Sequence, residues 1–116
     1  MLQTAHSPQH SASAPALALT IAGSEATGGA GAQTDLKTFH QLGTFGTVAL
    51  TCIVSFDPED DWNHRFFPVP TEILQQQLDA IQGDYPERLR TVKLGMQGSP
   101  ETIRTTAEAL RGHTWD

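Results

Sequence analysis

The chain is short of cationic side chains, of cysteine and of long apolar runs, and each shortage removes a class of function. Seven Lys and Arg stand against 13 Asp and Glu in 116 residues, a formal charge of −6. An acidic average field repels nucleic-acid phosphates and anionic lipid headgroups alike, and no basic patch interrupts it, so neither nucleic acid nor a membrane is an expected partner. Cys52 is the only cysteine. No intrachain disulfide can form and no Cys/His set has zinc-finger spacing, so no metal site is expected in the chain and a reducing compartment, the cytoplasm, fits best. The apolar stretches, around 14–22 and 48–54, fall well short of the roughly 18 to 20 residues that span a bilayer. The first cationic residue is Lys37, so the early apolar run lacks the positive flank of a secretory signal.

What is present suits one domain. Hydrophobic residues make up 38% of the chain, with two Trp, one Tyr and five Phe, enough for a chain of this size to bury roughly two thirds of its unfolded surface. Residues 1–15, rich in Ser, Ala, Gln and Pro, show neither helical nor strand periodicity and read as a disordered leader. Residues 16–116 carry the ordered pattern.

That pattern alternates strand and helix. Ala16 to Ala22 is apolar without polar alternation, the signature of a strand buried on both faces. Gly23, Gly28, Gly29 and Gly31 mark a glycine-rich turn, after which Ala32, Leu36 and Phe39 recur on one helical face, with Gly43 placed to end the helix. Thr47 to Val54 reads as a second buried strand. The acidic cluster around Asp57 and the aromatic stretch Trp62 to Phe67, broken by Pro58, Pro68 and Pro70, read as a loop with a short edge strand. Pro70 opens a helix whose Ile73, Leu74, Leu78 and Ile81 share a face as far as Gly83. Thr91 to Leu94 is a third strand, and Ser99-Pro100 is a good cap for a last helix carrying Ile103, Ala107 and Leu110. Such alternation predicts an α/β fold with an open, mostly parallel sheet. Three central strands would leave an unpaired edge and apolar surface exposed, so the chain is expected to be the front part of something longer.

The glycine-rich turn lies after a strand and before a helix, where ligands enter α/β sheets. Walker A spacing fails, because Gly29 and Ala30 stand where Lys and Ser or Thr are needed, and no dinucleotide fingerprint runs through it. A backbone-lined pocket and a purely structural turn both remain open. Asp35, one turn into the helix, can orient a ligand hydroxyl or simply complement the helix dipole. The carboxylates Asp57, Glu59, Asp60 and Asp61 lack the spacing of a calcium loop. Trp62 and His64 can form a lid or be ordinary surface residues. Cys52 reads as inert core, while Met96 follows a strand's carboxyl end, where ligand contacts occur.

Taken together, the string Leu19 to Phe39, with its Gly23-Ser-Glu-Ala-Thr-Gly-Gly-Ala-Gly31, and the later Val92-Lys-Leu-Gly-Met96 closely resemble bacterial hydroxymethylpyrimidine (phosphate) kinases and the related pyridoxine/pyridoxal kinases of the ribokinase-like superfamily. The likeness covers most of residues 17–111. It implies a three-layer sheet of which only the N-terminal part is here, and transfer of the ATP γ-phosphate to a small heterocyclic alcohol. It places Gly23, Ala30, Asp35 and Met96 along the substrate pocket, residues 56–69 in a covering flap that includes Trp62 and His64, and Lys93 in a structural or counter-charge role. Asp57-Pro58 and Trp62 to Val69 look like the pyridoxine-kinase branch. The pyrimidine kinases carry a Gln that bonds the aminopyrimidine where this chain has Phe56, an aromatic suited to packing on a pyridine. Family members are roughly twice as long, and the resemblance implies that ATP, Mg2+ and the catalytic residue are held by a later half. By the same resemblance this chain has no catalytic residue of its own, and the parent is a homodimer.

Overall fold

The computed structural model describes residues 14–116, so the expected leader lies almost wholly outside the described residues. Its elements run β1 (Leu17–Glu25), α1 (Gly31–Gln41), β2 (Phe45–Asp57), β3 (Asn63–Pro68), α2 (Thr71–Asp84), β4 (Leu89–Leu94) and α3 (Pro100–Leu110). The sheet order is β3-β2-β1-β4, with β1 parallel to both β2 and β4 and β3 antiparallel to β2. The expected mostly parallel α/β sheet is thus present, with its edge strand made by a hairpin.

β1 is central, and its alternation sends side chains into two different layers. Leu17, Leu19 and Ile21 join Ala49, Leu74, Leu78 and Leu89 in one buried cluster, which seats α2 on that face. Each fully buried leucine there contributes about 1.5 to 3 kcal/mol. The opposite face receives α1, which comes close because Gly46 has no side chain: a Cβ at that position would lie 2.7 Å from Leu36 and 2.8 Å from Phe39. Helices therefore cover both faces, as three layers require.

Several boundaries and faces differ from those the sequence suggests. β1 continues through Gly23 to Glu25, so the glycine-rich turn starts later than its first glycine. β2 runs on to Asp57 because β3 pairs with it from Cys52 outward. Where β3 ends, the free edge of β2 is satisfied by the Gln77 side chain, which donates to the Leu50 carbonyl at 3.0 Å and accepts from its N–H at 2.8 Å. Ile73 is exposed while Leu74 and Leu78 are buried. In α3 the buried positions are Thr102 and Thr106, with Ala109 and Leu110 packed on the core, and Ile103 faces outward. The cause is polar anchoring: Ser99 Oγ accepts from the Thr102 N–H, as its cap position predicts, and Thr106 donates to Gln97, turning the threonine face inward.

Candidate functional site

Between Ala22 and Ser24 the pairing of β1 with β2 slips: two steps along β1 answer three along β2, from Leu50 to Ile53. Such a bulge bends the strand beside it and re-aims its side chains. Gly23 sits at the slip, and a Cβ there would lie 2.6 Å from Cys52 Sγ. Immediately beyond, the start of α1 presses against the end of β1. Gly31 has φ +67°, and a Cβ on it would lie 2.5 Å from the Gly23 carbonyl oxygen. Only glycine tolerates both the left-handed backbone and that approach.

Glu25 organises the turn between them. Its carboxylate accepts from the Thr27 N–H at 3.1 Å, from Thr27 Oγ1 at 2.7 and 2.6 Å, and from the Gly29 N–H at 3.0 Å. The Thr27 hydroxyl above all, with the Thr27 and Gly29 amides, holds the Glu25 carboxyl below the usual range against the opposing effect of desolvation. Gln33 reaches back from α1, accepting from the Glu25 N–H at 2.9 Å and donating to Ser24 Oγ at 2.8 Å.

At the carboxyl ends of the parallel strands these pieces enclose an open cavity of about 320 Å³, within the size range of small-molecule sites. Gly23 and Ala30 form its inner wall, Met96 its floor, and Phe56 and His64 its outer side. The rings of Phe56 and His64, register partners on β2 and β3, lie 5.7 Å apart. Met96 is fixed from below, its carbonyl accepting from Thr51 Oγ1 at 2.7 Å and its Sδ 3.8 Å from Cys52 Sγ. Cys52 is fully buried, as expected of a core thiol.

Two expected residues stand apart. Asp35 does not line the cavity; its Oδ2 accepts from Thr20 Oγ1 at 2.6 Å and from Lys93 Nζ at 2.9 Å, and it is Lys93 that reaches the lining. Trp62 is 65% exposed at the hairpin turn with φ +62° and lies outside the lining. Glu25 and Lys93 are the lining residues that sequence reasoning undervalued. The signal for Lys93 is its place in β4 directly beside Thr20, one helix layer below Asp35.

Among the described residues no group of three or more His, Cys, Asp or Glu is arranged to hold a metal ion, and no helix is long and apolar enough to cross a membrane.

Residues 25–116 match the sequence model of a family described as phosphomethylpyrimidine kinase. A pyridoxine kinase of Bacillus subtilis (strain 168) is 42% identical over 94 residues, which cover 81% of this chain and 34% of that protein. A hydroxymethylpyrimidine/phosphomethylpyrimidine kinase of Haemophilus influenzae is 40% identical over 92 residues, covering 79% of this chain and 33% of that one. Among solved structures, the pyridoxal kinase from Staphylococcus aureus in complex with AMP-PCP and pyridoxal superposes with a TM-score of 0.81 at 38% identity, over 90% of this chain and 37% of that one. The chain spans about a third of the length of the curated relatives it matches.

Proposed function

The chain belongs to the phosphomethylpyrimidine kinase family, and from that premise we propose that its cavity is the alcohol-side pocket of an ATP-dependent kinase acting on the 5′-hydroxymethyl group of pyridoxine, pyridoxal or pyridoxamine. The observation that carries this reading is Phe56. Its ring stands in the cavity wall beside His64, where an aromatic face packs on a pyridine but cannot answer the hydrogen bonds of an aminopyrimidine.

In this reading the substrate ring lies between Phe56 and the Gly23–Ala30 wall, on Met96, with residues 56–69 as the cover. The hydroxymethyl oxygen attacks the γ-phosphorus, ADP leaves, and the hydroxyl proton passes to a base. Glu25 is unsuited to be that base, since hydrogen bonds from its own turn occupy both oxygens and hold its pKa down. The base, the ATP contacts and the Mg2+ contacts are assigned to the parts of the relatives that this chain does not span. Phosphoryl transfer depends on positioning and on charge stabilisation around the transferring group, so the 116-residue chain alone should bind substrate without turning it over. A cytoplasmic location is supported by the single, buried cysteine. Exposed Ile53 and Phe67, register partners on the hairpin, support a homodimeric parent.

A second reading, hydroxymethylpyrimidine (phosphate) kinase, is favoured by the family model and by the Haemophilus relative. Titration calorimetry with pyridoxal and with hydroxymethylpyrimidine separates the two. Pyridoxal should bind this chain at least about tenfold more tightly, a difference of roughly 1.4 kcal/mol, and Phe56→Gln should move the preference toward the pyrimidine. Heat from neither compound would point to a non-catalytic piece, and a preference unmoved by Phe56→Gln would remove the argument for vitamin B6.

A further inference from the structure

The cavity contains one cation whose aim is set from behind. Lys93 is one of the lining residues, its Nζ 2.9 Å from Asp35 Oδ2, and the same oxygen accepts from Thr20 Oγ1 at 2.6 Å. Thr20 is fully buried on β1, the Asp35 side chain is 14% exposed, and the Lys93 side chain is 48% exposed. The order of burial gives the order of action: a fixed hydroxyl holds a carboxylate, which holds an ammonium at the edge of the cavity. Gly95 keeps the space in front of it clear, since a Cβ there would lie 2.7 Å from Ala22 Cβ and 3.4 Å from Lys93 Nζ. Of the three N–H donors of Lys93, Asp35 takes one; among the described residues no other acceptor meets the rest.

The other charge in the lining is Glu25, whose oxygens are already occupied. A ligand in this cavity therefore meets apolar walls and one cation with donors to spare. That asymmetry favours a ring bearing an acidic oxygen and disfavours a ring that offers an amino donor at the same point. B6 compounds carry such an oxygen, the phenolic 3-hydroxyl on the pyridine; the aminopyrimidine carries an amine.

We propose that Lys93 is a specificity-determining residue, its ammonium receiving the ionised ring hydroxyl of a B6 substrate, with Asp35 and Thr20 as positioning residues. The assignment rests on the vitamin B6 reading above, and the test keeps the two apart. Pyridoxine and 3-deoxypyridoxine, which lacks the ring hydroxyl, are titrated into the chain and into Lys93→Met, Lys93→Arg and Asp35→Asn variants, with a thermal melt on each. Lys93→Met should weaken pyridoxine roughly tenfold to a hundredfold, the value of a hydrogen bond to a charged group, and leave 3-deoxypyridoxine unchanged. Lys93→Arg should recover part of the loss, and Asp35→Asn should weaken pyridoxine alone. The absorbance of bound pyridoxine should show the phenolate in the unaltered chain and lose it in Lys93→Met. Equal weakening of both compounds, or no weakening of pyridoxine, overturns the role of Lys93 and leaves the B6 reading standing. Heat from hydroxymethylpyrimidine but from no B6 compound overturns both.

Discussion

The two walls of the cavity are built on opposite principles. The inner wall, from Gly23 to Gly31, is defined by missing side chains and saturated polar groups: Glu25, Thr27, Gly29 and Gln33 bond one another, and a Cβ at Gly23 or Gly31 meets an atom within 2.6 Å. The outer wall is a two-stranded ribbon in which every residue of β3 is exposed and Asp61 and Trp62 hold positive φ without being glycine. Beside its turn Arg65 is tied to Asp57 at 2.5 Å, a pair whose Arg65 side chain is 59% exposed. One side is close-packed and admits no change, and the other is tethered at intervals. A pocket so made keeps a fixed template for the ring while its cover rests on few contacts.

The contrast can be broken by substitution. The largest effect is expected from Gly31→Ala, which adds left-handed strain and a clash with the Gly23 carbonyl oxygen. A loss of about 3 kcal/mol, read from the urea midpoint, would confirm the inner wall as rigid, and a loss below about 1 kcal/mol would show that it yields. A smaller effect is expected from the carboxylates. The pKa of Glu25 is depressed, so its contribution is present above the usual carboxylate range and is lost as the pH falls through the depressed value. Glu25→Gln should remove that acid-side slope in stability. Asp57 is also held down, first by the Glu59 N–H and then by Arg65, but Asp57→Asn should flatten the slope less, its ion pair being open to solvent. The smallest effect belongs to the hairpin tip. Trp62→Gly, at φ +62° and outside the cavity lining, should change stability by no more than about 0.5 kcal/mol and pyridoxal affinity by less than about twofold. A large loss of binding would mean that the tip closes over the ligand.

Local features were the legible part of the sequence. The apolar run of β1, the Ser99-Pro100 cap and the Leu74–Leu78 stripe each carry their reason within a few residues, and the structure has all three. What stayed hidden depends on distant partners. Lys93 and Asp35 are 58 residues apart, so neither reveals in sequence that one aims the other and that the cation, not the carboxylate, reaches the cavity. Glu25 owes its role to the amides of the following turn, which close on its carboxylate only in the folded chain. The helical stripe of Ile103 and Ala107 was overruled by Thr102 and Thr106, which are buried and hydrogen-bonded to Ser99 and Gln97. Periodicity reports where apolar atoms recur, and it is silent on polar groups that do better inside.

β2 forms part of the outer wall and pairs with the strand that leads into the inner one. It is 13 residues long, roughly 40 Å of unbroken backbone at about 3.3 Å per residue, parallel to β1 along its first part and antiparallel to β3 along its last. The bulge opposite Gly23 divides those two parts. Thr51 and Cys52, at that bulge, hold Met96 through one hydrogen bond and one sulfur contact, so the strand that carries Phe56 in the cover also anchors the floor of the cavity.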